Sequence, residues 1–122
     1  MALEAAFETV TDIDLVAIAR TVEAAVSATA EHRPDLIILD RQLPDGDGID
    51  AIGRLREQHR AVRVLVFTGG ADRATVDRVR AAGGDGLALK AGLLDELLAT
   101  IRRVAAGEEF FEIDPSERQI RR

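Results

Sequence analysis

Asp40, Thr68 and Lys90 each stand directly after a short apolar run: "LIIL" (36–39), "VRVLVF" (62–67) and "LAL" (87–89). A carboxylate, a hydroxyl and an ammonium brought together would suit a phosphoryl group. The carboxylate attacks phosphorus, the hydroxyl donates a hydrogen bond to a phosphoryl oxygen, and the cation neutralises the added charge. Lys90 is the only lysine among sixteen basic residues. A chain that uses arginine everywhere else places a compact, flexible point charge here. Each residue alone has a plainer explanation: Asp40 as a cap, Thr68 as turn chemistry before Gly69-Gly70, Lys90 as chance. Their recurrence at successive strand ends is what favours a site.

Other candidates carry less. Asp45 and Asp47 fit turn and helix-start roles better than metal ligation. Gly69-Gly70 lacks the GxxxxGK[ST] pattern of a nucleotide loop. His32 and His59 are expected at the surface, and Glu108 and Glu109 at a solvated helix end. No Ser/His/Asp arrangement is present.

The elements that must position the three residues follow from periodicity. Leu3, Phe7 and Val10 predict a short helix within residues 2–10. "IDLVAI" (13–18) is rich in β-branched residues and predicts a strand. Thr21 is suited to cap a helix carrying Val22, Ala25, Val26 and Thr29, which Pro34 ends. "LIIL", apolar without alternation, predicts a parallel strand buried on both faces. "PDGDG" (44–48) predicts a loop, and Ile49, Ile52 and Leu55 the helix after it. After the "VRVLVF" strand, Asp72 is expected to cap a helix bearing Val76 and Val79 that stops at Gly83. After "LAL", residues Leu94, Leu97, Leu98, Ile101 and Val104 line a last helix ending near Gly107. The tail "FFEIDPSERQIRR" has no clear period and is expected to be a connector, so the domain is placed at 1–107 with a linker or tail at 108–122. Strand and helix alternate four times after the first helix, which predicts a parallel α/β sheet with helices on both faces. In such sheets ligands bind beyond the carboxyl ends of the strands, where Asp40, Thr68 and Lys90 stand.

Composition narrows the classes. The 122 residues suit one domain, and 47 % hydrophobic content supports a core. With aromatics at 3 %, that core must be aliphatic. The absence of cysteine excludes disulfides and thiolate chemistry, and two histidines give little support to a zinc site. A net charge of -6, with the arginines scattered among acids apart from Arg121 and Arg122 at the end, argues against a nucleic-acid surface. No apolar run approaches the roughly 20 residues of a membrane span, and the N-terminus lacks a signal-peptide layout. A soluble, cytoplasmic protein that does not contact the membrane is expected.

The motifs resemble the receiver domain of two-component response regulators. "PDLIILDRQLPDGDGID" (34–50) is close to that family's phosphorylation-site signature, "VLVFTGG" (64–70) to its fourth strand, and "GDGLALK" (84–90) to its fifth strand ending in lysine. The tail after Gly107 resembles the linker of the NarL/FixJ subfamily. The resemblance implies a flavodoxin/CheY-like three-layer fold and a role in phosphorelay signalling rather than enzymatic turnover. It implies that Asp40 is the phosphoacceptor, that Thr68 contacts the phosphoryl group, and that Lys90 pairs with phosphorylated Asp40. It further implies Mg²⁺ held by Asp40 and the backbone carbonyl of Gln42. The partners implied are a sensor histidine kinase and an output domain, transcriptional in kind. DNA would be reached only through that output domain, outside this chain.

Departures from the pattern bear on these expectations. Receivers open with a strand ending in an acidic pair that holds Mg²⁺, and no such strand or pair precedes the first helix here. "IDLVAI" occupies the second-strand position and ends in Ala19-Arg20. Ala91 stands where many receivers have proline, and Leu87 where the switch often has Tyr or Phe. Four strands are therefore expected, with weak Mg²⁺ binding and an exposed sheet edge that invites homodimerisation. The missing strand leaves truncation and natural degeneration both open. A phosphorylation-independent dimerisation or interaction module is the alternative function, and a small enzyme on a phosphorylated metabolite the third.

Overall fold

The computed structural model describes residues 3–114. Met1, Ala2 and residues 115–122, including Arg121 and Arg122, lie outside the described residues, as do the side chains of Leu3 and Glu4. In chain order the elements are α1 (Leu3–Phe7), α2 (Val22–His32), β1 (Leu36–Asp40), β2 (Gln42–Leu43), β3 (Gly46–Asp47) and α3 (Gly48–Gln58). They continue with β4 (Arg63–Thr68), α4 (Arg73–Ala82), β5 (Gly86–Leu89), α5 (Leu94–Ala105) and β6 (Phe110–Phe111).

The helices start where their caps dictate. Thr21 accepts the Ala24 amide at 3.0 Å, Asp47 the Ile49 amide at 2.9 Å and Asp72 the Thr75 amide at 2.8 Å. Each satisfies an amide that has no partner within its own helix. Gly83, at φ 96, ends α4 in a left-handed conformation as its position predicts.

Parallel pairing orders the main sheet β1-β4-β5-β6, while β2 and β3 form a separate antiparallel ribbon. Ala25 of α2, Ile52 and Leu55 of α3, and Val76 and Val79 of α4 pack on one face against Val64, Val66 and Leu87. Phe7 of α1 and Leu97, Leu98, Ile101 and Val104 of α5 pack on the other against Leu65 and Ala88. Burying an aliphatic side chain of this size is worth about 1.5–3 kcal/mol, so these two aliphatic layers hold the sheet.

The three-layer α/β architecture agrees with the sequence, but one strand is exchanged for another. "IDLVAI" forms no strand. Ile13 packs in the α1/α5 layer and Ala19 in the opposite one, so the segment crosses between faces instead of lying along β1. Asp12, just ahead of it, is tied to Arg102 of α5 at 2.8 Å. β-branched composition favours a strand only where a pleated neighbour is available. Leu15, Val16 and Ile18 are left 44 %, 49 % and 52 % exposed.

The tail supplies the exchanged strand. Phe110 and Phe111, expected in a connector, pair with Gly86 and Leu87 of β5. Gly86 permits this approach, because a Cβ there would meet the Phe110 carbonyl at 2.9 Å. Arg103 and Arg80 stack over the two rings at 4.3 and 4.5 Å. The β5–α5–β6 connection has the opposite hand to the two before it, since α5 lies on the other face while the sheet grows in the same direction. A two-residue strand held by aromatic stacking tolerates that breach of the handedness preference.

Candidate functional site

β1, β4 and β5 are in parallel register, with Asp40 opposite Phe67 and Thr68 opposite Leu89. Their carboxyl ends therefore share one rim, and the Lys90 amide donates to the Thr68 carbonyl at 2.8 Å. Lys90 Nζ reaches Asp40 Oδ1 at 3.0 Å and Oδ2 at 2.9 Å. Thr68, buried, donates its hydroxyl to the Gly70 carbonyl at 3.2 Å. All three line a depression of about 410 Å³, together with Arg41, Gln42, Gly69 and Gly70. The meeting point expected from the strand ends is present.

The chain around Asp40 fixes the carboxylate. Its Oδ1 accepts the Gln42 amide at 3.0 Å. Gln42, expected through its carbonyl, thus touches the site through its N–H. A Cβ on Gly48 would run into the Asp40 carbonyl, and the Gly48 amide donates to the Arg41 carbonyl at 2.7 Å. Glycine is needed there so that α3 can begin against the end of β1. Between them the β2–β3 ribbon turns at Asp45, whose carboxylate accepts the Val22 and Glu23 amides of α2 at 2.7 and 3.2 Å. Those amides, Val22 foremost, hold the Asp45 carboxyl below its usual range. The Thr75 amide, then its hydroxyl, does the same for Asp72.

Asp45 and Asp47 have the turn and helix-start roles expected of them, although Asp45 caps α2 rather than the helix that follows it. His32 lies 3.6 Å from Glu31 at the end of α2. His59 at the end of α3 departs from expectation, being half-buried with an unpartnered Nδ1. Glu108 accepts Arg103 Nε at 3.2 Å beyond the end of α5.

Sequence reasoning passed over two features. Arg41 follows Asp40 and lines the same depression, with Nε 3.6 Å from Asp47 Oδ2. Its adjacency to Asp40 was the available signal. At the opposite end of the strands, buried Asp85 accepts Arg56 at 2.6 Å and the Val64 amide at 2.8 Å, and lies 3.3 Å from Arg63. Nothing local in the sequence marks that three-way joint.

Among the described residues, the donor set does not fit a firmly held Mg²⁺. Among the described residues no group of three or more His, Cys, Asp or Glu side chains could hold a metal ion. Asp45 and Asp47 are committed to helix amides. That leaves the Asp40 carboxylate and the Gln42 carbonyl for an ion that demands near-octahedral oxygen coordination.

Comparison with known proteins follows the same lines. The family model described as the response regulator receiver domain matches residues 1–102. Response regulator protein VraR of Staphylococcus aureus is 29 % identical over 104 residues, 85 % of this chain. The chain spans about half the length of the curated relatives it matches, 50 % in that case. A two-component response regulator of the LuxR family from Aurantimonas superposes with TM-score 0.84 at 27 % identity, over 96 % of this chain and 82 % of that one. A response regulator protein from Burkholderia pseudomallei, solved with a phosphorylated aspartic acid, calcium ion and citrate, gives TM-score 0.66 at 25 % identity, over 75 % of this chain and 54 % of that one. Among the described residues no helix is long and apolar enough to cross a membrane.

Proposed function

Because the chain belongs to the response regulator receiver domain family, we propose that it accepts a phosphoryl group on Asp40 from a sensor histidine kinase and passes the change to an output domain that controls transcription. The observation that carries this reading is the Lys90 ammonium on both Asp40 oxygens, with Thr68 on the same rim. The carboxylate is a nucleophile with its counter-charge already beside it. Lys90 would follow the phosphoryl oxygens as charge builds, and the Thr68 hydroxyl would leave the Gly70 carbonyl to donate to one of them. The module signals and does not turn over metabolites. Its setting is the cytoplasm, and DNA is reached through the output domain.

Residues 1–107 form the receiver unit in this reading, and 108–122 the linker, whose first residues are laid against β5. Among the described residues, Mg²⁺ would find Asp40 and the Gln42 carbonyl, which together give it a weak hold. Incubation with acetyl phosphate, followed by intact-mass measurement, tests the acceptor. One phosphoryl group should be gained by the wild type and none by Asp40→Asn. A gain that persists in Asp40→Asn rules the assignment out.

A second reading is favoured by a specific observation. Among the described residues no strand pairs with the outer edge of β1, and Leu15, Val16 and Ile18 are exposed. An edge strand and an exposed apolar segment suit a docking or dimerisation module that works without phosphorylation. Partner or self-association that is unchanged by Asp40→Ala would support this reading over the first.

A further inference from the structure

Resting on the assignment of Asp40 as phosphoacceptor, we infer that Glu112, just beyond β6, is a positioning residue for phosphoryl uptake: its carboxylate fixes the backbone that aims Lys90 at Asp40. The argument begins with what holds Lys90. The residue is exposed, so little packing restrains its stem. The Phe67 ring lies 5.8 Å from Nζ, close to the roughly 6 Å limit of a useful cation–π contact. The reach of the ammonium to both Asp40 oxygens therefore depends on how the backbone at 89–90 is set.

Three hydrogen bonds among the described residues set it. The Lys90 amide donates to the Thr68 carbonyl at 2.8 Å, on the β4 side. The Leu89 carbonyl accepts the Gly92 amide at 3.1 Å, which turns the chain toward α5. The Leu89 amide donates to Glu112 Oε1 at 3.2 Å, on the β6 side. This last bond breaks the pattern of its neighbours. The Phe110 amide donates to the Asp85 carbonyl at 3.3 Å and the Glu112 amide to the Leu87 carbonyl at 2.9 Å, as successive rungs of a parallel ladder do. The next rung would take the Leu89 amide to the Glu112 backbone carbonyl. The chain has by then turned toward Ala71, whose carbonyl accepts the Asp114 amide at 2.8 Å. The Glu112 side chain supplies the acceptor in place of its carbonyl. An aliphatic residue there would take that acceptor away from the amide of half-buried Leu89.

Glu112 is itself held. Phe111 before it and Ile113 after it pack against the aliphatic layer of α3 and α4, and Arg80 stacks over the Phe111 ring at 4.5 Å. Its side chain thus has a fixed base from which to meet the Leu89 amide. Losing that contact frees the peptide before Lys90 to tilt, and the long lysine stem turns a small tilt into a larger displacement of Nζ. A positioned step is sensitive to such displacements, since about 1 Å can cost about a hundredfold in rate.

The step served is a substitution at phosphorus. With acetyl phosphate, an Asp40 oxygen forms the new O–P bond, the bond from phosphorus to the acetate oxygen breaks, and its electron pair leaves with acetate. The test follows the intact mass of the full 122-residue chain with acetyl phosphate in Mg²⁺, with folding checked by circular dichroism at the assay temperature. The wild type should gain one phosphoryl group at Asp40. Glu112→Ala, and Glu112→Leu as a variant that keeps the packing volume, should gain it about fivefold more slowly. Glu112→Gln retains an acceptor oxygen and should recover most of the rate. The slowing should vanish when either variant is combined with Lys90→Ala, because Glu112 acts through that side chain. A merely structural brace would slow both backgrounds alike. Uptake by Glu112→Ala and Glu112→Leu at the wild-type rate, or a slowing that persists in the Lys90→Ala background, overturns the inference and leaves Asp40 as acceptor. A wild type that gains no phosphoryl group, or a gain that Asp40→Asn retains, removes the phosphoacceptor reading and this inference with it.

Discussion

Lys90 Nζ bridges both carboxylate oxygens of Asp40, at 3.0 and 2.9 Å, from a strand end fifty residues further along the chain. The pair is partly open to water, with side-chain exposures of 40 % and 41 %. Such a bridge contributes only about 0.2–1 kcal/mol to stability. On the proposed reading, the bridge cannot survive unchanged once one oxygen is esterified.

Lys90→Ala should therefore separate folding from function. Urea denaturation should show a loss below about 1 kcal/mol. Phosphoryl uptake from acetyl phosphate, followed by intact mass, should fall at least about tenfold.

Asp45 should make stability depend on pH. Its carboxyl is held below the usual value by the Val22 amide and then the Glu23 amide, so the ionised form is favoured in the folded state. The stabilisation is complete above the unfolded value of about 3.9 and is lost as pH falls through the lower folded value. Asp45→Asn should melt below the wild type near neutrality. The gap should shrink in thermal melts taken under about pH 4.

Gly48→Ala should move Asp40. The new methyl would run into the Asp40 backbone carbonyl. A cost of about 1–3 kcal/mol is expected from forcing a carbon into packed backbone. Denaturation would read that cost, and phosphoryl uptake at a temperature where the variant is folded should also drop.

Asp85→Ala should do the reverse. It leaves the Arg56 guanidinium and the Val64 amide without their acceptor at the far end of the strands. A destabilisation of about 3 kcal/mol is expected, near the lower bound for breaking a largely buried pair. Phosphoryl uptake by the folded fraction should match wild type.

Much of the site was legible because a parallel sheet aligns strand ends. Apolar runs locate the strands, and the residue after each run falls on one rim, as Asp40, Thr68 and Lys90 do. Caps such as Thr21 and Asp72 were equally legible, since each of these acts within three residues of its own position. What failed depended on distant partners. The "IDLVAI" segment has strand composition, but its ends are anchored on opposite faces of the sheet. β6 is two residues long, too short to show a period, and its place depends on the room left by Gly86. Arg41 was passed over because residue type alone does not show which carboxylate an arginine engages.

β6 runs parallel to β5, so the chain after α5 climbs toward the rim that carries Asp40 instead of away from it. The Glu112 side chain accepts the Leu89 amide at 3.2 Å, and the Asp114 amide donates to the Ala71 carbonyl at 2.8 Å, one residue past the loop that lines the depression. The polypeptide is thus delivered, at its last described residue, beside the very turn that Thr68 holds. A shift of that turn by a fraction of an ångström would tug directly on the outgoing strand, a mechanical shortcut that needs no relay through the helices.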